Sequence, residues 1–188
     1  MAGEIKRGLG TLIGNAGEYY VMAELLSRGI VAAMTPRNSP GFDVLATNGD
    51  TTARIRVKSK REQYTDWQWV VKKDGSIFKN LGPSDDFTVL VNLSPNRSGL
   101  HFWIVPTRIV DSWLKADFEE WLAEPGAKGQ PRSAANKKRH LNFPRFEERL
   151  RPFLEEWNSI WVTANELATP VRTAKPGVKG SRRSKGRS

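Results

Sequence analysis

Residues 54–60 read Arg-Ile-Arg-Val-Lys-Ser-Lys, and an extended strand sorts this alternation cleanly. In a strand, successive side chains point to opposite faces. Ile55 and Val57 then enter a core, while Arg54, Arg56, Lys58 and Lys60 line the other face, with Arg61 next. Four like charges along one strand face repel each other. The fold must set carboxylates against them, hold them against a bound polyanion, or leave them at a solvated sheet edge, where Lys and Arg discourage edge-to-edge pairing.

The neighbouring pattern places this strand in a sheet. Asn48-Gly49-Asp50 is a tight-hairpin signal just before it. Short strands are predicted over Ile30 to Met34 and Phe42 to Ala46, and the basic strand over Thr52 to Lys60. Trp67 to Val71 and Ser76 to Phe78 flank Lys73-Asp74-Gly75 and predict a further hairpin. Phe87 to Leu93 is apolar and β-branched, as a central strand requires. His101 to Val105 is a last strand, ended by Pro106. Helical spacing predicts a first helix over 14–28, with Asn15 and Glu18 as a capping box and Gly29 as its stop. A second helix is predicted from Thr107, burying Ile109, Val110, Trp113 and Leu114. Residues 124–140 lose the pattern, and a final helical stretch, Pro144 to Trp157, breaks near Pro152. These elements make an α/β domain over 1–169.

Charge divides the chain differently. Of the net +10, seven charges fall in residues 170–188, which contain no acid. A tail of Pro, Gly, Ser, Lys and Arg, including Arg182 and Arg183, cannot bury a core and is expected to be disordered. It reads either as a sequence-independent phosphate clamp or as a solvated tail. Lys137-Lys138-Arg139 is a second basic cluster. The absence of Cys excludes disulfides, thiolate metal sites and Cys nucleophiles. Two His, 101 and 140, argue against a His-rich metal site. No apolar run approaches the ~18 residues of a membrane span, and the first residues lack an apolar signal core. A cytoplasmic protein without membrane contact is the expectation.

Two carboxylates stand out. Asp43 sits in an otherwise apolar strand, which is costly unless it is paired or holds a metal. Glu18 lies among core-type residues of the first helix. Each alone reads better as a salt bridge to the basic stripe. Together they give an order: helix Glu, strand Asp, hairpin, strand Lys.

Gly17-Glu18-Tyr19-Tyr20-Val21, Gly41-Phe42-Asp43-Val44-Leu45 and Ile55-Arg56-Val57-Lys58-Ser59 together resemble the PD-(D/E)XK nuclease superfamily. The likeness is to the branch of archaeal Holliday-junction resolvases and their small bacterial relatives. Phe102 to Pro106 and Arg139 to Trp157 resemble later segments of the same proteins. The resemblance implies a restriction-endonuclease-like core, a mixed central sheet of four to five strands flanked by helices. It implies a phosphodiester hydrolase of endonuclease type that uses Mg²⁺, with Mn²⁺ as a substitute. Asp43 would be the main metal ligand, Glu18 a supporting ligand, Lys58 the catalytic lysine, and the Val57 backbone carbonyl a further ligand. Nucleic acid, DNA foremost, is the implied partner, contacted by Arg54, Arg56, Lys60, Arg61, Lys137, Lys138, Arg139, Arg182 and Arg183. Resolvase-like relatives are commonly dimers, so the resemblance admits a homodimer.

One position departs from the pattern. The acid or Gln expected two residues before the lysine is Arg56, which has donors only and cannot coordinate a cation. Either another acid such as Glu62 replaces it, or one weakly held metal suffices, or the core binds nucleic acid without cutting and Arg56 contacts phosphate. Trp67 and Trp69, with Tyr64 and Lys72-Lys73 nearby, read first as packed core and second as a base-stacking surface.

Overall fold

The computed structural model describes residues 8–36, 41–79, 81, 86–94 and 98–161. The basic tail, with Arg182 and Arg183, and turn residues 38–40 lie outside them. The elements are α1 (Leu9–Ser27), β1 (Val31–Met34), β2 (Val44–Thr47), β3 (Thr52–Arg61), β4 (Asp66–Val70), β5 (Asp86–Leu93), β6 (His101–Pro106), α2 (Thr107–Ala123), β7 (Lys138–Asn142) and α3 (Phe143–Leu150), followed by 3₁₀ turns at Arg151–Phe153 and Trp157–Trp161.

Five strands form one mixed sheet in the order β1-β2-β3-β5-β6. Only the β3–β5 pair is parallel. The apolar run at 86–93 is the middle of this architecture, as its composition requires. Phe87, Val89 and Val91 of β5 face one core with Val21 and Leu25 of α1. Leu90 faces a second core with Trp67, Trp103, Val110, Leu114, Leu141 and Leu150. Each fully buried aliphatic side chain contributes about 1.5–3 kcal/mol. The fold is therefore the α/β arrangement expected, a mixed sheet with helices on its faces.

α1 begins at Leu9, five residues before the predicted start, so Asn15 lies inside the helix and Gly8 occupies the N-cap position. Its end is as expected. Gly29 adopts φ 75°, its N–H bonds Leu26 O at 3.0 Å, and Ile30 N–H bonds Leu25 O at 3.0 Å. This pair of bonds is a Schellman stop that glycine permits without a Cβ penalty. Gly17 has the opposite role, close approach. A Cβ there would lie 1.7 Å from Ser59 Oγ and 2.9 Å from Ser59 Cβ, so α1 packs directly on β3.

The expected hairpin after β4 is half present. Lys72 N–H bonds Ser76 O at 2.9 Å and Gly75 turns the chain, but 76–78 is not a strand. β4 instead pairs antiparallel with β7, Trp67 opposite Leu141 and Gln68 opposite His140. This two-stranded sheet is roofed onto the second core. The break near Pro152 is where it was expected: α3 ends, and Glu155 reverses the chain at φ 55°.

Candidate active site

β2 and β3 pair antiparallel as far as Val44 opposite Ile55. There the backbone of β2 leaves the sheet, and Asp43 stands at the fork. Its N–H bonds Ile55 O at 2.8 Å, and its own carbonyl accepts Thr35 N–H at 2.9 Å. Thr35 Oγ1 also donates to Phe42 O at 2.9 Å. With its backbone held at both ends, the Asp43 carboxylate takes over the pairing that β2 gives up. Oδ2 accepts the Val57 N–H at 2.7 Å. In a strand, one residue's N–H and C=O point to the same edge, so the Val57 carbonyl is directed to the edge that Asp43 occupies. Among the described residues Oδ1 accepts no hydrogen bond.

Lys58 follows on the other face, its Nζ 5.5 Å from the centre of the Trp69 ring. Burial pushes the Asp43 carboxyl above its ordinary value, against the pull of the Val57 N–H, Arg56 and Lys58. Burial also lowers the Lys58 ammonium, against the pull of Asp43. Each group is thus driven toward its neutral form, partly offset by the other. Such a pair of opposed shifts in one place marks a candidate chemical site.

Arg56 does not reach outward. It is 9% exposed, and its guanidinium grips Asp86 with two bonds, Nε to Oδ1 at 2.9 Å and Nη2 to Oδ2 at 2.7 Å. Nη2 also donates to Lys79 O at 3.0 Å. Asp86, 2% exposed, accepts in addition the Thr107 hydroxyl at 2.8 Å. Arg56 is thus a strut joining β3, β5 and the start of α2. The structure thus gives Nε and Nη2 of Arg56 acceptors inside the protein, and Asp86 balances its charge.

Lys60 is committed in the same way. Its Nζ donates to Tyr64 O at 2.9 Å and Asn92 Oδ1 at 2.7 Å, 4.9 Å from the Trp67 ring centre. Burial lowers its ammonium, while Asp66 and Glu62 oppose that shift. The basic face of β3 is therefore roofed by aromatic rings rather than open. Trp67 and Trp69 are those rings, and Trp67 Nε1 donates to Val91 O at 3.1 Å; the tryptophans are core, as first read. Arg54 is half-buried on the same strand, and Arg61 lines a cleft beyond Lys58.

Glu18 is half-buried on α1, next to Gly17 where the helix meets β3. Glu62 lies five residues past Val57, roughly 16 Å along the strand, and its Oε2 is 3.1 Å from where a Gly99 Cβ would stand. It is not part of the Asp43 fork. Among the described residues no three His, Asp or Glu side chains form a metal cluster. The donors at the fork itself, a carboxylate oxygen without a hydrogen bond and a strand-edge carbonyl, are of the kind that suits a hard cation. Oxygen donors of this type match Mg²⁺.

Lys137 and Lys138 are exposed on or beside β7. Arg139 is half-buried, its guanidinium carbon 3.2 Å from the Phe118 ring centre, donating to Asn136 O at 2.7 Å and Lys138 O at 2.9 Å. Arg145 of α3 is tied to Asp117 and Glu120, and Arg151 beyond it to Glu148, so that region offers few cations to a ligand. The sequence reading gave no site role to Lys79. Its backbone carbonyl is 3.1 Å from where a Gly41 Cβ would stand, two residues from Asp43. Lys72, Lys73 and Lys79 share one surface recess. Burial first, then Lys79 and Arg56, lower the Lys72 ammonium. This cluster spans eight residues and a turn, and no contiguous charge run advertised it.

No family model matches the chain, and no curated protein does. Several solved structures are similar to the chain. A bacterial homing endonuclease superimposes with a TM-score of 0.46 at 14% identity, over 84% of this chain and 94% of its own. A Holliday junction resolvase from the archaeon Archaeoglobus fulgidus superimposes with a TM-score of 0.39 at 14% identity, over 69% of this chain and 91% of its own. Likeness at this level assigns no activity to this chain.

Proposed function

We propose that the chain is a Mg²⁺-dependent phosphodiesterase acting on nucleic acid, with DNA as substrate and endonucleolytic cutting as the reaction. The observation that carries this reading is Asp43, lodged on the open edge of β3 beside Lys58, with burial driving both toward neutrality. Asp43 Oδ1, the Val57 carbonyl and Glu18 would hold the ion. When bound, Mg²⁺ supplies positive charge to a phosphodiester oxygen and helps orient water; Mn²⁺ offers the same donors a similar ion.

The chain's own residues do the rest. The Val57 N–H fixes the Asp43 carboxylate in one orientation, so the metal-facing oxygen needs no reordering. Lys58, its ammonium destabilised by burial, positions the water and exchanges a proton with it at Nζ. Trp69 holds the lysine stem out of bulk solvent. Lys72, Lys73 and Lys79 on one side, and Arg61 on the other, meet the phosphates flanking the cut. The tail, with Arg182 and Arg183, together with Lys137 and Lys138, adds sequence-independent attraction to the backbone.

A second reading is a nucleic-acid-binding protein that does not cut. It is favoured by Arg56 standing where the family pattern has an acid or Gln, which leaves few carboxylates at the fork. The two readings separate in a cleavage assay on linear, single-stranded and four-way-junction DNA with Mg²⁺, Mn²⁺ or chelator, beside Asp43→Asn. Metal-dependent cutting that the variant loses supports the hydrolase. Binding without cutting, indifferent to chelator, supports the second reading. A homodimer in the cytoplasm is the proposed state, checked by light scattering of the purified chain and by cell fractionation. Among the described residues no helix is long and apolar enough to cross a membrane.

A further inference from the structure

A cleft of about 690 Å³ opens directly beyond Lys58, between the start of α1 and the β4–β7 sheet. Apart from Lys58 and Arg61 on its floor, the proposed reaction leaves the cleft's residues without a role. Its floor is β3, with Lys58 and Arg61 as the cations toward a ligand, while Lys60 on the same floor is held by Tyr64 O and Asn92. Its walls carry Tyr64, Gln68 and His140. Tyr64 is 55% exposed, although its backbone is fixed. Its N–H bonds Arg61 O at 2.9 Å, and its carbonyl accepts Lys60 Nζ. The ring is therefore an exposed aromatic face on a rigid turn. Gln68 and His140 face each other across the β4–β7 ladder. His140 Nδ1 lies 3.9 Å from Asp66 Oδ2, and Asn142 Nδ2 secures Asp66 Oδ1 at 2.7 Å.

These groups share a chemistry. An aromatic face stacks on a base, an amide and an imidazole hydrogen-bond its edge, and cations neutralise its phosphate. The volume lies in the range of small-ligand sites. A space roughly 9 Å on a side holds one nucleotide, but not a duplex, whose major groove alone is about 12 Å wide.

We propose that this cleft receives one unpaired nucleotide of a DNA strand whose neighbouring phosphate lies at the Asp43–Lys58 fork. The inference rests on the nucleic-acid reading of that fork. It makes DNA with an unpaired stretch, rather than blunt duplex, the favoured substrate class.

The test is fluorescence anisotropy in chelator, where no cutting occurs. It uses a labelled single strand, a blunt duplex and a duplex with a short single-stranded gap, against the wild type, Tyr64→Phe and Tyr64→Ala. The single strand and the gapped duplex should bind the wild type more tightly than the blunt duplex. Tyr64→Ala should lose roughly 5- to 150-fold for both, the range of one lost base stack, with a much smaller loss for blunt duplex. Tyr64→Phe, which keeps the ring, should stay close to the wild type. Equal losses for all three DNAs in Tyr64→Ala, or no loss at all, would overturn the inference. Because the readout is binding without metal, failure of the cutting reaction leaves this result standing. A protein that cuts blunt and gapped DNA equally well would refute the inference and spare the hydrolase.

Discussion

Replacing Arg56 with Met distinguishes an internal strut from a surface contact. The substitution keeps much of the side-chain volume against Phe78 but removes both guanidinium bonds from Asp86, which is almost fully buried. Breaking a buried ion pair by removing one partner costs about 3–5 kcal/mol. Small domains are stable by only about 5–15 kcal/mol, so a large fraction of stability is at stake. For a chain of this size each kcal/mol moves the midpoint by roughly 2–4 °C, which puts the expected fall in Tm at about 6–20 °C. Urea unfolding followed by tryptophan fluorescence measures the loss directly. The double variant Arg56→Met with Asp86→Asn should recover much of it, since the stranded charge is removed. A phosphate-contacting arginine behaves otherwise. Its loss leaves unfolding nearly unchanged and lowers the salt slope of DNA binding by about one. An Arg56→Met protein that unfolds within 1 kcal/mol of the wild type, as judged against the ~1 kcal/mol centre of ordinary substitutions, and binds DNA with a reduced salt slope would refute the strut.

Three further outcomes follow from the same geometry. Gly17→Ala should destabilise at the upper end of the roughly 1–3 kcal/mol typical of overpacking, because the new Cβ meets Ser59 Cβ at 2.9 Å as well as its rotatable hydroxyl; adding Ser59→Gly should restore part of the loss in urea unfolding, and no rescue would refute that contact as the cause. Asp43 has a raised folded-state value over an ordinary 3.8, so both states are protonated below about pH 3.8 and stability is lost as pH rises through the folded-state value. Asp43→Asn should therefore match the wild type near pH 3.5 and exceed it at pH 7, and millimolar Mg²⁺ should narrow that gap by stabilising the wild type alone; a gap that is absent or of opposite sign contradicts burial as the dominant cause. Deleting residues 170–188 removes seven cations and should lower the salt slope of duplex binding by as much as about 6 if all contact phosphate, whereas an unchanged slope makes the tail a bystander.

Some of this protein was legible in its residues. The alternation at 54–60 correctly divided β3 into two faces, since period-two geometry is local. The apolar run at 87–93 announced a strand buried on both sides. Gly29 marked the end of α1, and Pro106-Thr107 the turn from β6 into α2. Asp43 and Lys58, read together from their order, do lie close enough to act on each other's charge. What those faces meet was decided elsewhere. Arg56 found Asp86 thirty residues on, and Lys60 found Asn92, because β5 lies parallel beside β3 in that register. β4 found its partner in β7, which begins inside the stretch at 124–140 that showed no pattern and within a cluster that read as surface charge. Gly17 had no local signal at all, because its reason is Ser59 on another element. Periodicity tells which side of an element is turned inward. It carries no information about which distant segment will cover that side, and here that covering decides which cations are locked into the protein and which remain for a ligand.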